Sequence, residues 1–506
     1  MKLLKALLSR PSLTSFAVLI ELFIAFSLFH WFTGVAPWIE VVLRILSALI
    51  VLLLLKNSRH LSVDMFWILM ILLAPVGGTA IYLLLAANLF SSKTFRAIVK
   101  STEEAETLYV QDENVFSELA ASAPVDKGQF NYLSRSAGFP FYRNTGFDYY
   151  PLGDVGFPVM LEELKKAEKF IFLEYFIVEE GVMWNRIVDI LEQKAAQGVD
   201  VRVMYDDLGS FFTLSASYAK KLEAKGISCI SFNRISLVLS IIMNHRDHRK
   251  IMVIDGRVAF SGGINLADEY INAKVKYGHW KDNVIRVTGD AVWSYTVMFL
   301  THWNALRKTD SDFSVFRTEA LPGEPDGFIC PYGETPLTDE LTAQNVYTGI
   351  LNSSRDYCYI MTPYLIIDTD FQNALILCAK QGVDVRLVTP GIPDKRMVWN
   401  ITRSYYRTLI EGGVKIYEYS PGFVHSKVFV SDDKAAAVGT VNLDYRSLYL
   451  HFENGTYLYG SKKVLDIKQD CLNTMALSHM VTAEETHYSF IREFILSVLR
   501  LFAPMM

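Results

Sequence analysis

Two stretches of this 506-residue chain carry the same chemically dense pattern. The first reads His248-Arg249-Lys250-Ile251-Met252-Val253-Ile254-Asp255, then six residues, then Gly262-Gly263-Ile264-Asn265. The second reads His425-Ser426-Lys427-Val428-Phe429-Val430-Ser431-Asp432, again six residues, then Gly439-Thr440-Val441-Asn442. In each, His and Lys stand two apart at the head of an apolar, β-branched run, so on a strand they share a face. An imidazole is thereby set beside an ammonium. The glycine that follows lets the chain turn tightly, and the Asn amide comes back toward the same point. If the two copies pack face to face, Lys250, Lys427, Asn265 and Asn442 converge to hold the oxygens of a phosphoryl group. One imidazole then attacks phosphorus and the other protonates the leaving oxygen, chemistry that needs no metal and no cofactor. Downstream of each motif stands a carboxylate, in Trp280-Lys281-Asp282-Asn283 and in His451-Phe452-Glu453-Asn454. Asp282 and Glu453 either orient a catalytic His through its far ring nitrogen or are plain surface acids. Asp255 and Asp432 either join the catalytic set or brace the turn that follows each strand.

The elements that must position these groups repeat as well. Gln197-Gly198-Val199-Asp200-Val201-Arg202 recurs letter for letter as Gln381-Gly382-Val383-Asp384-Val385-Arg386. Before each copy lies an apolar strand-like run and a helix-like stretch, in which Gly198 and Gly382 read as helix C-caps. After each comes a short strand, a second helix, a glycine and another strand. Strands alternating with helices imply βαβ units and a sheet covered on both faces. The fold class is therefore α/β, with two related domains, expected over residues 147–330 and 331–506. Residues 101–146, acidic at first and without a sustained period of 2 or 3.6, read as a connector.

Residues 1–100 form a different region, with nine Lys/Arg against three Asp/Glu, whereas the rest of the chain carries 40 against 51. Leu13 to Phe32, Pro37 to Leu55 and Met65 to Ala87 are apolar stretches near the length of about 20 residues that crosses a bilayer. Two or three transmembrane helices are expected here, the third with a kink at Pro75-Val76-Gly77-Gly78. Lys/Arg flank several of the links, and the charge pattern leaves open whether the N-terminus and the body share a side. Over the whole chain, 51% hydrophobic and 20% charged residues and a mean hydropathy of +0.21 exclude disorder and favour a membrane. The acidic body excludes a nucleic-acid partner, which would ask for a basic stripe. Five scattered cysteines with no C-x-x-C pair suggest neither a disulfide framework nor a zinc site, only packing. From Tyr488 to Met506 an amphipathic helix is expected, lying either on the bilayer or on the domain core.

The paired H-x-K-x4-D-x6-G-x-x-N motifs resemble those of the phospholipase D superfamily. Together with the apolar head, Asn244 to Lys250, Gly262 to Asp268, Pro363-Tyr364 and Gly439 to Ser447, they are similar to the bacterial cardiolipin synthase family across nearly the whole chain. The resemblance implies two phospholipase D-like domains packed as a pseudo-twofold pair behind the membrane head. It implies phosphatidylglycerol as substrate, a phosphohistidine intermediate, and cardiolipin and glycerol as products. His248 would be the nucleophile and His425 the general acid, although the symmetry of the motifs permits the reverse. Water or serine as acceptor, or an inactive lipid-binding protein, are the competing readings. Gly263 stands where the family commonly has Ser or Thr, which is expected to remove a hydroxyl near the phosphate. The resemblance also implies a multi-pass cell-membrane protein with its catalytic body on the cytoplasmic face. Oligomeric state is not legible in the sequence.

Overall fold

The computed structural model describes residues 37–57, 61–85, 93–234, 245–310, 312–318 and 325–503. The segment Leu13 to Phe32 lies outside the described residues.

Two mixed sheets form the body. The first contains β1 (Thr145–Tyr150), β2 (Phe170–Tyr175), β3 (Asp200–Asp206), β4 (Ser228–Phe232), β5 (Lys250–Ile254), β6 (Val258–Gly262) and β8 (Val284–Gly289), with β7 (His279–Lys281) set apart from it. Its order is β1-β8-β6-β5-β2-β3-β4. The second contains β9 (Phe328–Glu334), β10 (Tyr357–Met361), β12 (Asp384–Pro390), β13 (Lys415–Tyr419), β15 (Val428–Ser431), β16 (Ala435–Gly439), β18 (Glu453–Tyr459) and β19 (Ser478–Met480). Short strands β11 (Leu365–Ile366), β14 (Gly422–Val424) and β17 (Leu443–Asp444) stand outside it. Its order, β19-β13-β12-β10-β15-β16-β18-β9, repeats that of the first with one added edge strand. In both sheets the parallel trio (β2, β3, β4; β10, β12, β13) follows from helical crossovers, and the motif strand pairs antiparallel to the first of the trio. Gly198 and Gly382 end the crossover helices at φ of 89° and 96°, as caps.

One apolar cluster joins the two halves: Phe172, Phe299 and Trp303 of the first with Tyr359, Val430 and Leu458 of the second. Separate clusters lie on the outer faces. All five cysteines are free and buried.

Three expectations are corrected. The domain boundary at 330/331 falls inside β9, whose whole length pairs with β18 and so belongs to the second domain; β1 likewise starts at Thr145. The supposed connector is folded: helices Lys93–Glu106 and Glu113–Ser122 flank its first part, and Phe116, Leu119, Phe130, Leu133 and Phe141 enter the core of the second domain. Its helices are too short to show a period, which is why composition hid them. The third apolar stretch, expected as one helix kinked at Pro75-Val76-Gly77-Gly78, is two helices, Leu61–Leu73 and Pro75–Leu85, broken at Ala74. Pro75 restricts Ala74 away from the helical region, and a Cβ on Gly78 would lie 2.3 Å from the Met70 carbonyl oxygen, so only glycine allows this tight bend. Among the described residues, no helix is long and apolar enough to cross a membrane.

The C-terminal helix, Phe490–Arg500, docks through Leu496 and Leu499 and leaves Phe490, Ile491, Phe494, Ile495 and Val498 exposed. The ring of Phe502 meets Phe66 of the head at 5.5 Å between centroids.

Candidate active site

The two motif histidines meet at the junction of the domains because each is tied to the opposite half. The backbone N–H of His248 donates to the Phe452 carbonyl (2.9 Å), and that of Phe452 donates back to Arg246. In the mirror arrangement His425 N–H donates to the Lys281 carbonyl (2.7 Å), where β14 runs parallel to β7. The segment before each carboxylate is therefore paired with the segment before the other half's histidine.

The result is a crossed set of His–carboxylate pairs. Nδ1 of His248 lies 2.8 Å from Oε2 and 2.9 Å from Oε1 of Glu453; Nδ1 of His425 lies 2.6 Å from Oδ2 of Asp282. Both carboxylates are wholly buried, which answers the question the sequence left between orienting groups and surface acids. Each leaves Nε2 as the working nitrogen. Thr440 donates its hydroxyl to Glu453, while Asp282 accepts the Asn283 N–H at 2.9 Å.

Here the Gly263 departure acquires a physical cause. A Cβ on Gly263 would lie 1.9 Å from Oδ1 of Asp282, so the side chain that Thr440 carries in the second half has no room in the first. The expected loss of a phosphate-facing hydroxyl is corrected: the Thr440 hydroxyl is spent on Glu453, not on the pocket.

Lysines 250 and 427 are buried beside their histidines. Lys250 Nζ donates to the His248 carbonyl at 2.7 Å, and Lys427 Nζ donates to that of His425 and sits 3.0 Å from its Nε2. Burial brings Lys250 down to about 8 and Lys427 down to about 7, against the pull of Glu453 and Asp282. Both histidines are lowered. Burial, then Lys250, push His248 well below the ordinary imidazole range. Burial and Lys427 bring His425 to about 4, with Asp282 partly opposing them. Burial raises Glu453 well above the carboxylate range despite Lys250. Burial alone would raise Asp282 too, but His425 and Lys427 outweigh it and hold it low.

These groups border a cavity of about 620 Å³ whose lining includes His248, His425, Asn265 and Asn442. Asn265 accepts the Ile177 N–H and gives one amide proton to Tyr270, leaving the other for a ligand. The side-chain oxygen of Asn442 is buried without a partner among the described residues. Apolar and aromatic side chains, among them Phe176, Phe212, Tyr277, Trp280 and Phe423, line the rest. Such a wall suits a phosphate that carries hydrocarbon.

Asp255 and Asp432 do not reach this cavity, and their place in the catalytic set is corrected. Each stands at the far end of the motif strand, about 17 Å from its lysine at strand rise. Asp255 accepts the N–H groups of Glu168, Lys169 and Phe170; Asp432 accepts those of Arg355, Asp356 and Tyr357. Both residues adopt a φ of 53°, the turn conformation that Asp tolerates better than most. They brace the turn, as the second reading had it.

Sequence reasoning missed His451 and Arg446. The ring of His451 stands 5.6 Å from that of His248, and Arg446 Nε donates to its Nε2 at 3.2 Å. The signal was present: His451 precedes Glu453 by two, as each catalytic His precedes its Lys. His248, His451 and Glu453 also place one ligand atom each within 4.8 Å of one another, a set whose donor types suit a divalent cation. Two buried lysines beside it oppose such an ion and favour an anion instead.

A family described as cardiolipin synthase, PLD-like domain, matches residues 160–293 and 347–474, which hold both crossed pairs. Cardiolipin synthase 2 of Bacillus anthracis is 33% identical over 453 residues, covering 89% of this chain and 88% of its own. The cardiolipin synthase of Alkalihalophilus pseudofirmus is 32% identical over 495 residues, covering 94% and 95%. An uncharacterised Streptococcus mutans protein is 46% identical over 433 residues, 85% of this chain and 94% of its own. Among solved structures, phosphatidylserine synthase of Haemophilus influenzae superposes with a TM-score of 0.57 at 15% identity, covering 76% of this chain and all of its own, which shows a shared fold.

Proposed function

Since this chain belongs to the cardiolipin synthase family of phospholipase D-like enzymes, we propose that it transfers a phosphatidyl group between two phosphatidylglycerols, giving cardiolipin and glycerol. The observation that carries this reading is the crossed pair of buried His–carboxylate couples around one cavity with two buried lysines.

His248 is the nucleophile. The resemblance gave it this role, and Glu453 holds its Nδ1, so its Nε2 keeps a lone pair for phosphorus. His425, held at its Nδ1 by Asp282, protonates the departing glycerol oxygen as the P–O bond breaks. Lys250, Lys427 and the Asn265 amide hold the non-bridging oxygens as charge develops. A phosphatidyl group is then bonded to His248 Nε2. His425, now neutral, takes the proton of a hydroxyl on the second phosphatidylglycerol, and that oxygen displaces the histidine to form cardiolipin. Atoms and protons balance over the two steps.

The head is proposed to sit in the cell membrane with the body on its cytoplasmic side. Exposed Trp38, Val41, Val42, Ile45, Leu49, Leu52 and Leu53 on helix Pro37–Asn57 support the membrane seat, and the Phe66–Phe502 contact makes the head and the C-terminal helix neighbours.

The test is to incubate the purified, detergent-solubilised chain with phosphatidylglycerol in excess chelator and follow lipid products and free glycerol. Cardiolipin and glycerol in equal amounts support the reading. Phosphatidic acid alone would make water the acceptor, and no product without a divalent cation would reopen the His248–His451–Glu453 set as a metal site.

A further inference from the structure

A second cavity, of about 190 Å³, lies between helices Arg396–Glu411 and Phe490–Arg500 and shares no lining residue with the catalytic one. Three guanidinium groups line it, those of Arg403, Arg407 and Arg500, against the single carboxylate of Glu493. Arg407 is spent on Glu411 (3.0 Å) and Glu493 (2.9 Å), and Arg403 lies 3.4 Å from Glu418. Arg500 is placed differently. It is half-buried, lies over the ring of Tyr405 and donates to the hydroxyl and carbonyl of Ser404. No carboxylate pairs with it among the described residues. In the same wall the hydroxyl of Tyr488 is buried without a hydrogen-bond partner among the described residues. A half-buried cation without a counter-ion and a buried hydroxyl without a partner are each costly, and one anion with several acceptor oxygens satisfies both.

We propose that this cavity is a second lipid site, which takes the phosphate of an anionic phospholipid from the bilayer. The helix that forms one wall argues for a lipid rather than free phosphate: its far side exposes Phe490, Ile491, Phe494, Ile495 and Val498. An interfacial helix seats such a face about 5–10 Å into the headgroup–acyl boundary, which leaves its polar side, with the cavity, at the level of the phosphates. Helix Arg396–Glu411 connects this site to the chemistry. Val398 and the preceding Lys395 line the catalytic cavity, and Arg403, Ser404 and Arg407 line the second one, about 8–14 Å along the same helix. A bound phosphate therefore steadies the helix that borders the catalytic mouth. The inference rests on the proposed membrane seat for the source of its ligand, and not on which lipid is made.

Hydrogen exchange of the full chain in phosphatidylcholine nanodiscs, with and without a fifth of the lipid replaced by phosphatidic acid, tests it. Peptides from 396–411 and 490–500 should exchange about tenfold more slowly in the discs with phosphatidic acid. That protection should be lost in Arg500→Gln, reduced in Tyr488→Phe and retained in Arg500→Lys, which keeps the cation and controls for folding. Millimolar inorganic phosphate added to plain discs should not reproduce it. No added protection, or equal protection in Arg500→Gln, would overturn the site; protection by inorganic phosphate alone would overturn its assignment to lipid. Phosphatidylglycerol turnover by the detergent-solubilised chain reports separately on the reaction, so either proposal can fail while the other stands.

Discussion

Adding one methyl group at Gly263 should disable a proton transfer without touching any reacting residue. The Cβ of Gly263→Ala would lie 1.9 Å from Oδ1 of Asp282, about 1.5 Å short of ordinary contact. The backbone of Gly263 lies outside the left-handed region, so alanine itself is not strained there. Asp282 is wholly buried and held at 2.6 Å from His425, so relief must come from moving the carboxylate away and opening that bond. A hydrogen bond to a charged group contributes about 1.5–3 kcal/mol, hence a fall in kcat of about ten- to a hundredfold. The assay is phosphatidylglycerol turnover by Gly263→Ala, Asp282→Asn and the double variant, with melting temperatures alongside. Because the methyl acts through Asp282, the double variant should be no slower than the slower single. A Gly263→Ala enzyme within twofold of the parent, or single effects that multiply in the double variant, would refute the reasoning.

Three further outcomes follow from the same geometry. A lysine brought to about 7 is cationic below that pH and neutral above it, so kcat/KM should fall as pH rises past about 7–8 through Lys427 and then Lys250. Lys427→Arg, which keeps its charge, should move that alkaline limb upward; an unchanged limb would mean that neither lysine holds the phosphate. Asp255→Ala removes the acceptor of three backbone N–H groups and should lower stability by about 1–3 kcal/mol in denaturant unfolding while leaving kcat per folded molecule unchanged. A large loss of kcat there would restore Asp255 to the catalytic set. Glu453→Ala should cost His248 its acceptor and lower kcat about a hundredfold with little change in KM, and an increase in KM alone would assign Glu453 to binding.

The paired motifs made most of the site legible, because period-two placement puts His248 with Lys250, and His425 with Lys427, on one strand face before any tertiary contact is known. The repeat at Gln197 and Gln381 likewise announced two matching sheets. What stayed hidden depends on contacts between distant segments. Nothing local says that Glu453 serves His248 and Asp282 serves His425; that exchange follows from β7 pairing with β14 and from His248 bonding to Phe452. The bracing role of Asp255 and Asp432 depends on three N–H groups more than 70 residues away in each case. Phe116 and Phe130 gave no periodic signal, since helices of 10 and 5 residues are too short to show one, yet both are core residues. In the head, Pro75-Val76-Gly77-Gly78 was legible as a kink, but that it separates two helices depends on the close approach of Gly78 to Met70.

The proposed division of roles gives the phosphatidyl group to His248 and the proton transfers to His425. It is tested most directly with a phosphatidyl ester of p-nitrophenol, whose leaving group needs no acid. His425→Ala should release a stoichiometric burst of nitrophenolate and then stall, with the adduct found by mass spectrometry on the peptide bearing His248, because nothing remains to activate the acceptor hydroxyl. His248→Ala should give no burst. A burst from His248→Ala with the adduct on His425 would contradict the account and exchange the two roles.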